Sequence, residues 1–212
     1  MPEKTLTPEN LSVYLPDKAL PVVSKWFENL PILVRLSRPR TGKLGDFMVS
    51  PPAMKPIISI NSNLNAYEFA ITLAHEYAHF IHWRENKWSR KPHGKKWKLI
   101  FGYLLLQLVG EDVFPQELLT PLNSFIDNPA ASGNTHTGLT IALHKFNPES
   151  DLILLDKLPE NSLFSVSGGR VFLKGEKQRK RYKCICKNNR KTYFVNAVIM
   201  VKPIYPANNS LF

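Results

Sequence analysis

The chain has 212 residues, of which 43% are hydrophobic, and it carries a formal net charge of +11. A chain of this length forms one globular domain, or one domain with a small appendage. Residues 1–4 lack the basic and apolar regions of a signal peptide, no stretch is apolar enough to span a membrane, and two cysteines one residue apart make no disulfide framework. We therefore expect a soluble protein of a reducing compartment, the cytoplasm.

The first 126 residues mix strand-like and helix-like patterns. Thr7 and Pro8 are typical of a helix start, and a second short helix follows Pro21. The further predicted elements are strands at 32–36, 46–49 and 57–60, then helices at about 65–86, 94–109 and 115–126. This order predicts an α+β fold in which residues 1–126 form one domain.

The most informative motif lies in the first long helix. His75-Glu76-Tyr77-Ala78-His79 is an H-E-x-x-H motif inside an apolar run that has neither Pro nor Gly from position 66 to 83. On a helix, His75 and His79 lie one turn apart on the same face, so both imidazoles can reach one zinc ion. Glu76 lies close to that face and can take a proton from water. The motif predicts a zinc hydrolase of the metallopeptidase type.

A catalytic zinc usually has three protein ligands and one open position. His82 falls on the same helical face, but it lies one further turn along and cannot close a tetrahedron with the other two. Glu85 is too near the end of the same helix for an easy reach. His93 lies between Pro92 and Gly94, which break the helix and allow a sharp return, so it would approach the metal from a new direction. The two other histidines, His136 and His144, are expected to be solvated in or beside a loop.

The two motifs together resemble the SprT-like metallopeptidase family. The resemblance covers about residues 31–110 and rests on His75-Glu76-x-x-His79 followed by Pro92-His93-Gly94-Lys95-Lys96-Trp97. It implies a zincin-like metallopeptidase core with His75, His79 and His93 as zinc ligands and Glu76 as the catalytic acid/base. By the same resemblance, to the Spartan proteases of that family, the substrates would include proteins associated with DNA.

The chain departs from this family in its cysteines. Many SprT-like proteins carry a C-terminal zinc ribbon with four cysteines, whereas this chain has only Cys184 and Cys186. Residues two apart on a strand face the same side, but two ligands do not make a structural zinc site. We expect an incomplete ribbon in which both thiols are small, half-buried side chains.

Two blocks supply most of the positive charge. Residues 84–98 hold seven basic residues against one acidic, and residues 170–191 hold ten against one. Such blocks attract phosphate backbones, so we expect DNA contacts, centred in the second block on Arg179, Lys180, Arg181 and Lys183. Trp83 and Trp88 interleave the first block and suit stacking on unpaired bases, while the helical register of Trp97 favours the core. The alternative is a solvated basic face without a partner.

Residues 127–150 are predicted to be a linker, and residues 151–212 a small basic antiparallel β domain. Its candidate strands are 152–155, 163–166, 171–174, 182–186, 192–195 and 198–201, with turns at Gly168-Gly169, at Gly175 and at Asn188-Asn189. Two functions follow from the whole pattern. The first is a zinc-dependent endopeptidase whose extended substrate pairs with the strand at 57–61. The alternative is a nucleic-acid-binding protein with a structural or vestigial zinc site.

Overall fold

The computed structural model describes residues 4–6, 8–40, 42–49, 55–85, 91–127, 137–148, 151–166 and 169–205. The chain divides into two compact units, Met1–Pro148 and Glu149–Phe212. Both helices and sheets are present, in agreement with the predicted α+β class. Within the described part of the chain, no helix is long and apolar enough to cross a membrane.

The N-terminal unit combines a four-stranded sheet with helices. Its strands are β1 (Lys4–Leu6), β2 (Leu33–Ser37), β3 (Gly45–Met48) and β4 (Ile57–Asn61). Its helices are α1 (Pro8–Leu11), α2 (Ala19–Phe27), α3 (Ala66–Glu85), α4 (Lys95–Gly110), α5 (Gln116–Asp127) and α6 (Thr137–His144). The predicted strands and long helices agree with these bounds to within one or two residues, whereas β1 and α6 were not predicted.

The sheet order is β1-β2-β4-β3, with β2 and β4 parallel and the two outer pairs antiparallel. All five residues of β4 are buried, and neighbouring strands pair with both of its edges. The expectation that a substrate pairs with residues 57–61 is therefore wrong, since β4 has no unpaired edge. In the described sheet, the edge near α3 belongs to β3 instead.

Helix α3 begins at an asparagine that the sequence patterns did not single out. The side-chain oxygen of Asn65 accepts the backbone N–H of Glu68 at 3.0 Å, which satisfies one donor of the first turn. The Asn65 amide also donates to the carbonyl of Leu143 at 3.0 Å, on α6. Asn65 thus fixes the start of the helix that carries the H-E-x-x-H motif and joins it to the end of the unit.

The predicted linker at 127–150 is partly wrong. Thr137–His144 forms α6, whose Leu139 and Leu143 are buried in the N-terminal core, because their apolar side chains gain by packing there. His144 is half-buried and pairs with the Asn147 amide at 3.1 Å, so it is not a solvated loop residue. His136 lies outside the described residues.

The C-terminal unit is a six-stranded antiparallel sheet of order β5-β10-β6-β7-β8-β9. Its strands are β5 (Ile153–Leu154), β6 (Leu163–Ser165), β7 (Val171–Gln178), β8 (Arg181–Cys186), β9 (Thr192–Asn196) and β10 (Met200–Ile204). Alternation along β8 is regular: its even-numbered residues are buried and its odd-numbered residues exposed.

The turn expected at Gly175 is wrong. Gly175 lies inside β7, where a Cβ atom would come within 2.5 Å of the Lys183 carbonyl oxygen, and the ladder shifts register between Lys174 and Lys177. The chain reverses four residues later, where Arg179 adopts a left-handed backbone with a φ of 56°. Glycine is needed at 175 for the close approach of two strands rather than for a turn.

Candidate metal centre

The two histidines of the motif lie on one face of α3, one turn apart. Their Nε2 atoms are 3.2 Å from each other, and both side chains are half-buried. This arrangement follows from the four-residue spacing, because positions i and i+4 of a helix are stacked one above the other.

His93 is brought to the same place by the turn before α4. The backbone N–H of Gly94 donates to the Lys91 carbonyl at 3.1 Å, and the Gly94 carbonyl accepts the N–H of Lys98 at 3.0 Å at the start of the helix. His93 Nε2 then lies 3.0 Å from His79 Nε2. All three imidazoles offer one nitrogen within 4.8 Å of the others.

The donor set fits a tetrahedral metal ion. Nitrogens bound to zinc at about 2.0–2.1 Å in a tetrahedron lie about 3.3 Å apart, close to the 3.0 and 3.2 Å seen between Nε2 atoms. A neutral imidazole nitrogen either donates one proton or accepts one. Hydrogen bonding alone therefore cannot satisfy His79 Nε2 toward both neighbours, whereas a shared cation would satisfy all three nitrogens.

Trp97 packs against the three imidazoles from the buried side. Its ring stacks on His79 with centroids 5.1 Å apart and meets His75 and His93 edge-on at 4.7 Å each. The side chain is fully buried, which confirms the expectation that Trp97 belongs to the core. Its indole N–H is a buried donor for which the described residues provide no acceptor.

The histidines are held in the neutral form that metal ligation requires. Burial, together with the neighbouring imidazoles, lowers the pKa of His75 to about 3 and that of His79 to about 4. Burial also lowers the pKa of His93. At neutral pH the cluster therefore presents lone pairs rather than positive charges.

Glu76 is buried beside the cluster, with Oε1 3.9 Å from His75 Nε2. Burial raises the pKa of its carboxyl to about 8, and the Asp46 carboxylate adds to this effect. Arg40, Lys43 and a hydrogen bond from the Phe47 backbone act in the opposite direction. These groups belong to β3 and the loop before it, so the pKa of Glu76 depends on a second chain segment as well as on its own helix.

Gly45 leaves the space that Glu76 occupies. A Cβ atom at position 45 would lie 2.8 Å from Glu76 Cγ, 2.9 Å from Glu76 Oε1 and 2.8 Å from Thr72 Cγ2. Such distances are well inside van der Waals contact. Strand β3 and helix α3 can approach this closely only because residue 45 has no side chain.

A polar network fixes the loop that leads into β3. The Asn61 amide donates to the carbonyls of Arg40 (3.1 Å) and Lys43 (2.9 Å), while Arg40 Nε donates to Asn61 Oδ1 at 2.8 Å. The Arg40 guanidinium and the Ser59 hydroxyl both bond the Asp46 carboxylate. Sequence reasoning missed this network, as it missed Gly45. No motif marks these residues, and their meeting depends on the pairing of β3 with β4.

The other residues weighed as third ligands lie elsewhere. His82 is buried one turn beyond His79 and is outside the cluster of converging nitrogens. Glu85 forms an ion pair with Lys96 at 2.8 Å. Within the described ranges, His75, His79 and His93 form the one group of at least three metal-binding side chains.

The two cysteines of the C-terminal unit are free, buried thiols.

The four cations that were expected to contact DNA are exposed at the end of the β7–β8 hairpin. They are Arg179, Lys180, Arg181 and Lys183. Two other cations of the 170–191 block are engaged within the unit. Lys174 is buried and donates to the carbonyls of Leu155 (2.8 Å) and Leu158. Lys177 bonds the Asp156 carboxylate. In the first basic block, Trp88 lies outside the described residues.

Comparison with known proteins gives one family. Residues 27–101, which are 75 of the 212 residues, match the model of Peptidase_M78, described as the IrrE N-terminal-like domain. The match contains the H-E-x-x-H helix, His93 and the strands β2 to β4, and it supports a metallopeptidase-like family for this region. No curated protein and no solved structure matches the chain.

Proposed function

We propose that this protein is a zinc-dependent endopeptidase whose zincin-like core lies in the N-terminal unit. The observation that carries the proposal is the convergence of three neutral imidazoles beside a buried carboxylate. His75, His79 and His93 would hold the ion. A structural site has no need of a neighbouring acid, so the position of Glu76 favours catalysis over a structural role.

The bound zinc would polarise the substrate carbonyl and bring the pKa of water toward about 7. A cation held by the three imidazoles would favour the ionised form of the Glu76 carboxyl. Glu76 would then take the proton of the attacking water at a carboxylate oxygen and return it to the leaving amine. Gly45 leaves the space for that carboxylate beside the cluster, and the Phe47 N–H donates a hydrogen bond to it. Trp97 keeps bulk water away from the rear of the imidazoles.

Strand β3 is the candidate docking edge for an extended peptide. It is the outer strand of the described sheet, and its first residue touches Glu76. A peptide added to this edge would form main-chain hydrogen bonds and bring its scissile bond past the cluster. The exposed side chains of Met48 and Val49 favour apolar substrate residues along this edge.

The test of the proposal is Glu76→Gln, with Glu85→Gln as a matched control on the same helix. Glu76→Gln is expected to bind zinc normally and to lose protein cleavage by at least about 100-fold, because general acid–base catalysis contributes on that scale. Glu85→Gln is expected to cleave like the wild type. Cleavage at the wild-type rate in Glu76→Gln would reject the mechanism.

We also propose that the peptidase is of the SprT-like type and that it is located in the cytoplasm. The H-G-x-x-aromatic segment, residues 93–97, places an aromatic ring four residues after the third imidazole, and in the fold that ring packs on all three histidines. The two free buried thiols agree with a reducing compartment.

A second candidate function, nucleic-acid binding, is favoured by the basic hairpin. Lys174 and Lys177 have partners inside the unit, and the Arg170 guanidinium lies over the rings of Phe172 and Tyr193. Seven exposed cations therefore remain in the 170–191 block for phosphates. They are Arg179, Lys180, Arg181, Lys183, Lys187, Arg190 and Lys191. The exposed ring of Phe194 pairs across the ladder with Lys183, which suits stacking on an unpaired base.

Salt dependence tests this second function. If about six cations meet phosphates, the affinity for double-stranded DNA falls with salt at a log–log slope of roughly −5. Replacing Lys180, Arg181 and Lys183 by Ala is expected to reduce both affinity and slope without changing zinc content. The control replaces the exposed Lys18, Lys25 and Lys145 of the other unit. Equal losses in both triple variants, or no binding by the intact chain, would remove nucleic acid as a partner.

A further inference from the structure

Helix α4 presents an apolar stripe to solvent. Leu99, Tyr103 and Leu106 are 75%, 64% and 53% exposed. Their spacing of four and three residues places them on one face of the helix. Single exposed apolar side chains are ordinary on protein surfaces, but three in line on one helix form a contiguous patch of the kind that marks an interaction surface.

The two ends of this stripe carry opposite charges. Lys95 and Lys96 are exposed in the first turn, and Glu111 and Asp112 are exposed directly after the last turn. The first turn holds no acidic residue and the last turn no basic one. This is the reverse of the arrangement that stabilises a helix through its own dipole. The charges therefore oppose the isolated helix and suit a neighbour that runs antiparallel to it.

We propose that the exposed face of α4 binds the same face of a second copy of this chain, in antiparallel orientation about a twofold axis at Tyr103. Lys95 lies eight residues before Tyr103 and Glu111 eight residues after it. A twofold axis there places each Lys95 opposite the other copy's Glu111, about 12 Å from the axis along the helix. The two dipoles also run antiparallel in this pairing.

Lys95 and Glu111 are assigned to the contact between copies because the charged residue next to each of them forms an ion pair within its own chain. Lys96 pairs with Glu85 at 2.8 Å, and Asp112 pairs with Lys18 at 4.0 Å, both within one chain. The second copy provides the complement that the stripe needs, because it carries an apolar centre with acid at one end and base at the other. Two 16-residue helices, each about 24 Å long, bury a small area, so the dimer is expected to be weak, with a Kd in about the micromolar range. This inference does not depend on the peptidase function.

Sedimentation velocity of the full chain tests the surface. The wild type is expected to shift from monomer to dimer between about 1 and about 100 µM at low salt. Tyr103→Glu is expected to remain monomeric, because the substitution puts two carboxylates on the axis. Val13→Glu, at another exposed apolar side chain, is the matched control and is expected to dimerise like the wild type; Val13 is 77% exposed. A wild type that stays monomeric over this range would overturn the proposal.

A charge exchange tests the orientation. Lys95→Glu and Glu111→Lys are each expected to weaken the dimer at least about tenfold, because each places like charges opposite one another twice. The double variant restores complementary pairs and is expected to dimerise nearly as well as the wild type. Both positions are exposed, so circular dichroism should show unchanged folding in all three variants. A double variant no better than the single ones would reject the antiparallel pairing.

Discussion

Two pairs of metal-binding side chains are present in this chain, and they have different outcomes. His75 and His79 lie on one face of α3, and Cys184 and Cys186 lie on one face of β8. The histidines meet a third imidazole, His93, that another segment delivers. The thiols are buried beside Tyr182 O (3.6 Å) and Asn188 Oδ1 (3.8 Å), without a third metal-binding side chain among the described residues. The histidine pair forms a candidate metal centre because a separate turn of the chain adds a third imidazole.

The buried polar groups of the two units differ in the same way. In the C-terminal unit, Lys174 bonds two carbonyls and lies 3.9 Å from the Tyr182 ring centroid, so its protein partners satisfy it. In the N-terminal unit, the imidazole nitrogens face one another and the Glu76 carboxyl is desolvated. Converging imidazole nitrogens beside a carboxyl whose pKa is strongly raised by burial indicate a functional site.

Without His93, the histidine pair should bind zinc no better than a pair of side chains that lacks a third ligand, as the cysteine pair does. His93→Ala is expected to weaken zinc binding by more than about 100-fold, because loss of a residue that only supports a ligand already costs about 10–100-fold. Competition with a chromogenic chelator measures the affinity. The double variant Cys184→Ala, Cys186→Ala is expected to bind one zinc as tightly as the wild type.

The control for the His93 variant is His144→Ala, which removes a half-buried histidine from α6. It is expected to leave zinc binding unchanged. Zinc loss in the cysteine variant with retention in His93→Ala would reverse the assignment of the two pairs.

Gly45→Ala should disturb the Glu76 carboxyl without touching any of the three proposed ligands. The new methyl group would lie within 3 Å of Glu76 and Thr72, so the carboxylate must move. Displacement of a catalytic group by about 1 Å costs on the order of 100-fold in rate. We expect kcat to fall by about 10- to 100-fold with zinc affinity unchanged. Gly102→Ala is the matched control, since a Cβ atom at position 102 would meet no other side chain closer than 3.9 Å. Equal activity of the two variants would exclude a positioning role for Gly45.

Lys174→Met should show that the polar group of the C-terminal unit is structural. Methionine leaves the carbonyls of Leu155 and Leu158 without their donor, and an unsatisfied buried acceptor costs about 1–3 kcal/mol. Amide hydrogen exchange of β7 and β8 should accelerate accordingly, while zinc binding and cleavage stay at wild-type values. Lys177→Met is the control and should change exchange little, because Lys177 is exposed. Unchanged exchange in Lys174→Met would mean that the two carbonyls find other donors.

The smallest expected effect concerns Glu68, near the start of α3. Burial raises the pKa of its carboxyl to about 7, so the folded state holds the proton more tightly than the unfolded state. Wild-type stability should therefore fall relative to Glu68→Gln as pH rises from about 4.5 to 7, by about 1–2 kcal/mol after allowance for solvent screening, and then stay level. Urea unfolding with a chelator present measures this difference. A constant difference between pH 4.5 and 8 would contradict the raised pKa.

Much of the site was determined by sequence alone, because the interactions are local. The helical spacing of His75 and His79 and the break at Pro92 and Gly94 depend on neighbours within one or two turns. The same holds for the long helices, whose apolar periodicity is strong, and for the alternation along β8. Sequence reasoning failed where an element is held by distant partners, as for α6, which is tied to the start of α3 by Asn65.

Only the tertiary structure decided which groups surround Glu76 and which strand is available to a peptide. Gly45, Arg40 and Asp46 reach the acid through the antiparallel register of β3 on β4, in which Gly45 pairs with Ile60. The order β1-β2-β4-β3 places β4 inside the sheet and β3 at its edge. Strand order and register arise from the combined burial of many side chains, whereas a motif reports only the residues beside it. For that physical reason the histidines were readable from the sequence, and the groups that position Glu76 were not.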